Sequence, residues 1–235
     1  MKHGKRYQSA VALLEPQKTY SVDEAIEKLK AGATSSFDET AELSVNLGIK
    51  ASSVIVRGTC ALPHGTGKTI RILAFAKGAN VSEAEAAGAD YVGGDDLAEK
   101  IRDGWLDFDK VVATPDMMSV VGKLGTILGP RGLMPSPKSG TVTKDIGSVI
   151  ADLKKGLVEF RSDRHGIIHT IFGKASFEAS ALKENLISMI RSIVEHQPEE
   201  GIKGRFIKKV TIASTMGPGI VLDPSEVTEI AEQVN

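Results

Sequence analysis

Apolar and polar positions alternate most regularly between Phe37 and Gly48. Ala41, Leu43, Val45 and Leu47 fall on one side and Glu42, Ser44 and Asn46 on the other, the period of a half-buried strand. Before it, Ser21 with Glu24 three residues later reads as a capping box opening a helix. Ala25, Ile26 and Leu29 continue at helical spacing, and the helix is expected to stop near Gly32. The first segment thus reads as helix, helix and two strands, with Val54 to Leu62 the expected antiparallel partner of the 37–48 strand.

The pattern changes at Pro63-His64-Gly65-Thr66-Gly67. A short apolar strand, Arg71 to Ala76, leads to a Glu- and Ala-rich helix from Ser82, the pair Tyr91-Val92 and a helix from Asp95 to Arg102. Phe108 to Ala113 is the next strand and Met117 to Leu124 the next helix. After the Gly- and Pro-rich stretch Gly129 to Pro137 comes a helix over Asp145 to Leu153. Strands alternating with helices predict β-α-β units and a parallel sheet covered on both faces.

Beyond Gly156 the pattern turns antiparallel again, with Leu157 to Arg161 and Gly166 to Phe172 separated by the turn Ser162 to His165. A helix over Phe177 to His196 carries Leu182, Leu186, Met189, Ile190 and Ile193 on one face. The alternating strand Lys208 to Ser214 follows. Neither terminal segment alone has enough strands for a stable sheet. The expected architecture is therefore α/β and α+β: residues 1–67 and 157–235 form one split α+β domain, into which a Rossmann-like domain, 68–156, is inserted. Gly65, Gly67 and Gly156 mark its two connections as candidate hinges.

Composition narrows the classes. With 235 residues, 41% apolar and 25% charged, the chain is ordinary for a globular protein. No apolar run approaches a membrane span, and the basic start is followed by too short an apolar stretch, Ala10 to Leu14, for a signal peptide. The expectation is a cytoplasmic protein with an intact N-terminus and no membrane partner. One cysteine, Cys60, excludes an intramolecular disulfide and reads as a small core residue. The net charge of −1 hides an asymmetry: residues 1–20 carry +3, whereas Asp223, Glu226, Glu229 and Glu232 have no basic residue among them. Without its last 17 residues the chain is net +3, so a basic face for a polyanion is compatible with the neutral total.

Motifs for catalysis or cofactors are incomplete. Gly65-Thr66-Gly67-Lys68-Thr69 resembles the end of a phosphate loop, but Leu62 stands where the first glycine belongs and a strand follows instead of a helix. The strand Arg71 to Ala76 leads into Lys77-Gly78-Ala79-Asn80, without the remaining dinucleotide-binding glycines. His165 and His169 lack further ligands for a metal. No enzyme, no cofactor and no metal site are expected. An α/β enzyme binding a nucleotide through 68–156 is the competing class, and a scaffold using the acidic C-terminal helix, Pro224 to Val234, is a third.

Two stretches are hard to explain as core: Ser35 to Thr40, with an aromatic beside polar residues, and Thr215-Met216-Gly217-Pro218 at a strand end. Together they offer what an RNA surface needs: an apolar side chain for bases or riboses, hydroxyls for phosphate or 2′-OH, and glycine for close backbone approach. Both lie within a longer series of motifs. Lys2 to Tyr7, Phe37 to Thr40, Arg57 to Thr59, Leu62 to Lys68, Ala87 to Gly93, Ala113 to Asp116, Leu128 to Pro135, Gly173 to Phe177 and Thr215 to Gly217 occur in order over essentially the whole chain. This succession resembles the bacterial ribosomal protein L-one family.

The resemblance implies a split first domain with an inserted second one. It further implies binding to large-subunit ribosomal RNA of a mobile stalk, help in releasing deacylated exit-site tRNA, and translational repression through the messenger RNA of its own operon. Location would be cytoplasmic, on the large ribosomal subunit. Carried over by residue, the RNA surface comprises Phe37, Thr40, Arg164, His169, Lys174, Thr215, Met216 and Gly217. Ser36 stands where the family often has lysine, which removes one expected phosphate contact. The loop Gly129 to Pro137, with Arg131, is a candidate secondary contact.

Overall fold

The computed structural model describes residues 4–50 and 54–232. In chain order the elements are α1 (Lys5–Ala12), α2 (Val22–Gly32), β1 (Thr40–Ile49), β2 (Arg57–Ala61), β3 (Ile72–Phe75), α3 (Ala79–Ala86), β4 (Tyr91–Gly93), α4 (Asp95–Arg102), β5 (Lys110–Ala113), and the single turns α5 (Met118–Val121) and α6 (Gly125–Leu128). Then follow α7 (Ile146–Lys155), β6 (Leu157–Arg161), β7 (Ile167–Lys174), α8 (Ala179–Glu195), β8 (Ile202–Ser214), β9 (Ile220–Val221) and α9 (Pro224–Glu232). The chain is a mixed α/β protein, and its contacts divide it into two compact units: Met1–Gly67 with Gly156–Asn235, and Lys68–Lys155.

The first unit is organised on β1. Its odd positions, Ala41, Leu43, Val45 and Leu47, are buried, as the alternation requires. Both of its edges are taken by strands from the C-terminal half: β7 pairs antiparallel on one side and β8 on the other, giving the order β7-β1-β8-β9. That leaves no edge for residues 54–62. The expected pairing of this segment with β1 is therefore not found, and β2 pairs with β6 in a separate two-stranded ribbon.

The hairpin expected between 157–161 and 166–172 is likewise replaced. Its two strands diverge into different sheets and keep only a single bridge, Ser162 to Ile168. Packed under the sheet, α8 contributes Leu182, Leu186, Met189, Ile190 and Ile193, all fully buried, and α2 contributes Val22, Ala25, Ile26 and Leu29. Cys60 joins this core, and burial pushes its thiol pKa up to about 11, which keeps it protonated.

Half of the expected capping box forms. Ser21 Oγ accepts from the Glu24 N–H at 3.3 Å, but the Val22 N–H donates at 2.8 Å to Glu226 Oε2 from the far end of the chain. Close by, Tyr20 bridges Leu222. The N- and C-terminal segments are thus joined beyond the main sheet as well.

The second unit carries a parallel sheet of order β4-β3-β5. Every residue of the central strand β3 is buried, the signature of a sheet covered on both faces. The expected helix over 117–124 is instead a succession of short pieces: a 3₁₀ turn at Pro115–Met117, α5, a second 3₁₀ turn at Gly122–Leu124, and α6. Gly122 and Gly125, poor helix residues, interrupt what would be one helix. Boundaries also move: α3 begins at Ala79 rather than Ser82, β1 at Thr40 rather than Phe37, β2 at Arg57 rather than Val54, and β8 at Ile202 rather than Lys208.

Where the chain leaves and re-enters the first unit it is tightly packed. Asn185, fully buried on α8, accepts from the His64 N–H at 3.0 Å and donates to the carbonyls of Gly65 and Phe172 at 3.1 and 2.9 Å. Gly156, at φ +114°, lies so close to the other connection that a Cβ on it would sit 2.5 Å from the Gly65 Cα. Backbone cannot yield as a side chain does. Gly156→Ala is therefore expected to destabilise the protein by about 2–4 kcal/mol, from the left-handed strain plus the clash, read as a lower urea midpoint at an unchanged m-value.

Candidate nucleic-acid interface

The period of two that buries Ala41, Leu43 and Val45 also points Glu39 inward, and it is only 2% exposed. A carboxylate in that position needs donors. Ser35 N–H donates to Oε1 at 3.0 Å and Met216 N–H to Oε2 at 3.0 Å. Burial by itself would raise the Glu39 pKa. The Met216 N–H, the Ser35 and Ser214 hydroxyls and the Ser35 N–H together outweigh it and hold the group below its ordinary value of 4.5. One ionised side chain thereby fixes the loop before β1 to the loop after β8, 177 residues apart.

Around it the two loops are sewn together. Thr40 N–H donates to Thr215 Oγ1 at 2.9 Å, and Thr215 N–H returns to the Thr40 carbonyl at 3.1 Å. Lys174, at the end of β7, donates through Nζ to Thr40 Oγ1 at 2.9 Å and to the Asp38 carbonyl at 3.4 Å. Asp38 accepts from the Ser176 hydroxyl at 2.8 Å and its N–H at 3.2 Å. Gly217 closes the turn with its N–H on the Ser214 carbonyl at 3.0 Å, and a Cβ there would fall 2.4 Å from Ser214 Oγ. Beside this network Phe37 and Met216 remain 52% and 49% exposed, two large apolar side chains on a polar, hydroxyl-rich ground. Arg6 on α1 bonds the Ser35 hydroxyl, adding a cation at the border.

Such an arrangement suits a folded nucleic acid. Its exposed apolar side chains offer surfaces for bases or riboses, and its hydroxyls, ammonium and backbone groups suit phosphates and 2′-hydroxyls. Among the described residues no group of three or more His, Cys, Asp or Glu side chains is placed to hold a metal ion. Lys68, which a phosphate loop would aim at a nucleotide, pairs with Asp109 at 2.6 Å.

The sequence profile of the ribosomal protein L1p/L10e family matches residues 29–218. The chain belongs to this family. It is similar to the large ribosomal subunit protein uL1 of Fervidobacterium nodosum, 52% identical over 231 residues, covering 97% of this chain and 98% of the relative. Against the large ribosomal subunit protein uL1 of Thermus thermophilus the identity is 52% over 226 residues, 95% of this chain and 98% of the other. For the same protein of Thermobifida fusca it is 50% over 234 residues, 99% of each chain. The family match ends one residue past Gly217, so it includes both loops that Glu39 joins.

Of the residues singled out in the sequence, the structure brings Thr40, Lys174, Thr215, Met216 and Gly217 together at one end of the sheet, with Phe37 in the loop that Glu39 anchors there. His169 lies halfway along β7 on the exposed sheet face, its Nδ1 3.1 Å from Ser44 Oγ. Arg164 lies in the exposed turn before β7, at the opposite end of that strand from Lys174. Gly67 packs against this region from another side, where a Cβ would meet Lys174 Cγ at 2.7 Å and the Phe177 ring at 2.9 Å. Glu39 is not among the residues that the family resemblance carries over. The signal was available, since the alternation that buries residues 41, 43 and 45 places residue 39 on the same face.

Removing the carboxylate leaves two part-buried N–H groups, those of Ser35 and Met216, without acceptors. Glu39→Ala is expected to cost about 2–4 kcal/mol in urea unfolding, and Glu39→Gln, which keeps one acceptor, less. Because the folded pKa is depressed, the stability Glu39 supplies is complete above its unfolded value near pH 4.5 and is lost as pH falls through the lower folded value. Acid unfolding of Glu39→Gln followed by circular dichroism should accordingly lose part of its pH dependence below pH 4.5, the parent's full slope in the variant being the contrary result.

Proposed function

We propose that this chain is an RNA-binding component of the large ribosomal subunit, working in the cytoplasm on the ribosome. On this reading it holds ribosomal RNA of a mobile stalk through Phe37, Thr40, Lys174, Thr215, Met216 and Gly217, with His169 and Arg164 extending the contact along β7. The observation that carries the reading is the Glu39-centred junction. It makes one preorganised surface from loops at the two ends of a chain that belongs to a ribosomal protein family. The relatives' names, each a large ribosomal subunit protein, support the assembly. The chemistry is recognition: shape and hydroxyl contacts discriminate a folded RNA, and cations supply a salt-sensitive share of the affinity.

Two finer roles belong to the same proposal: assistance in releasing deacylated tRNA from the exit site, and repression of translation by binding the messenger RNA of its own operon. Both require that one surface accept RNAs of similar shape. Gly65, Gly67 and Gly156 are the proposed hinge, at connections where residue 67 abuts Lys174 and residue 156 abuts Gly65. Neither role needs a catalytic group or a cofactor.

A salt titration of binding to a stalk-like large-subunit ribosomal RNA fragment tests the proposal. The intact chain should bind tightly and with steep salt dependence. Thr215→Ala combined with Met216→Ala should weaken binding by about 1.4–2.8 kcal/mol, roughly ten- to a hundred-fold, with a nearly unchanged salt slope because neither side chain is charged. Equal affinity of the variant would remove that loop from the interface, and no specific binding by the intact chain would overturn the reading.

A further inference from the structure

The β2–β6 ribbon carries a feature that folding does not call for. Its register sets Arg57 directly opposite Arg161, with Thr59 opposite Glu159 and Ala61 opposite Leu157 on the same outer face. Like charges facing each other across an antiparallel pair repel, and an arginine pair is normally relieved by a carboxylate. Among the described residues none within ion-pair distance relieves this one: Arg57 and Arg161 take part in no ion pair or side-chain hydrogen bond. The nearest acid in the turn that follows is already committed, since Asp163 Oδ1 accepts from the N–H groups of His165 and Ile167, both at 2.8 Å.

A third arginine continues the row. Arg164 is exposed in that turn, its guanidinium donating to the neighbouring His165 ring nitrogen at 3.1 Å. Arg161, Ser162, Asp163 and Arg164 line a shallow pocket of about 410 Å³ whose remaining wall is Ile55, 55% exposed. Two guanidiniums, the Asp163 carboxylate and an apolar side chain thus surround one concavity, with a further guanidinium on the adjoining strand, while the buried Ser162 hydroxyl accepts from the Val56 N–H at 2.9 Å. Planar, weakly hydrated guanidiniums match phosphodiester oxygens through paired N–H donors, and an exposed aliphatic group beside them gives a base or ribose a surface to rest on.

We propose that Arg57 and Arg161, with Ile55, form a second RNA-backbone site around Arg164, at the far end of β7 from the Glu39-centred loops; this rests on the RNA-binding reading above, which already assigns Arg164. The two surfaces stand at opposite ends of β7, which from Ile167 to Lys174 spans about 23 Å at the usual rise per residue. That span exceeds the reach of a single nucleotide. Occupying both ends takes either two segments of one folded RNA or two RNA molecules, and the repulsion between Arg57 and Arg161 is relieved only when phosphate arrives.

The test uses the full-length chain, a double variant Arg57→Gln/Arg161→Gln and the charge-retaining Arg57→Lys/Arg161→Lys. Each is titrated with salt against the stalk-like fragment and against an unstructured RNA of about 20 nucleotides. Losing two phosphate contacts should make the slope of log affinity against log salt shallower by about 1.5 and weaken binding about ten-fold or more near 0.1 M salt, with lysine restoring most of the slope. The thermal midpoint of the glutamine variant should hold or rise, because a like-charge pair has been removed.

Loss with the stalk fragment assigns both surfaces to one RNA, and loss confined to the unstructured RNA assigns the ribbon to a separate strand. Unchanged slopes with both RNAs overturn the ribbon site while leaving the Thr215/Met216 result to judge the first surface. Arginine-dependent binding of the unstructured RNA without any binding of the stalk fragment would overturn the stalk reading and keep the ribbon. No binding of either RNA by the parent chain overturns both.

Discussion

The first unit depends on β1 having both edges occupied by strands that come from the other half of the chain. A strand so placed cannot be satisfied by its own segment: its N–H and C=O groups are completed only when β7 and β8 arrive from beyond residue 166. Everything else in that unit follows. Residues 54–62, shut out of the sheet, find β6 instead, and α2 and α8 share the single apolar face that remains. The close packing at Gly65 and Gly156 is the same constraint met at the point where the chain departs and returns.

Glu39 ties the two ends of this topology together. A buried carboxylate is costly unless each oxygen is matched, and here the matching donors belong to different ends of the sequence. The arrangement orders two loops in advance of any ligand, so a partner that settles on Phe37 and Met216 need not supply that ordering itself. The ribbon behaves in the opposite way. Among the described residues Arg57 and Arg161 have no ion-pair partner, which leaves the ribbon electrostatically incomplete while the surface at the other end of β7 is internally satisfied.

What could be read from the sequence divides along the same line. The β-α alternation of the second unit was legible because each of its strands and helices is encoded locally, and the α8 core face was legible from its spacing. The partner of β2 was not, because the pairing is decided by competition for β1's edges, which no window of sequence contains. Near Gly122 and Gly125 the apolar spacing favours one helix, and the cost of the two glycines breaks it into short pieces. Among the site residues, the resemblance supplied side chains from both ends of the chain without their depth or position along β7. It could not separate Arg164 from Lys174, and the buried acid that joins the loops was passed over although its parity was visible.

The discontinuity of the first unit also bears on how the chain acquires its structure. All strand pairings of the second unit lie within one contiguous stretch, 68–155, whereas β2 must meet β6 and β1 must meet β8 across that stretch. Closing a long flexible loop is entropically slow, and contacts of low sequence separation form first. Once the inner unit has folded, the segment between Gly67 and Gly156 is no longer a random coil but a compact body with two fixed exits, and the distance the outer strands must search shrinks accordingly. In chain terms the inserted unit thus shortens the loop that the outer strands have to close.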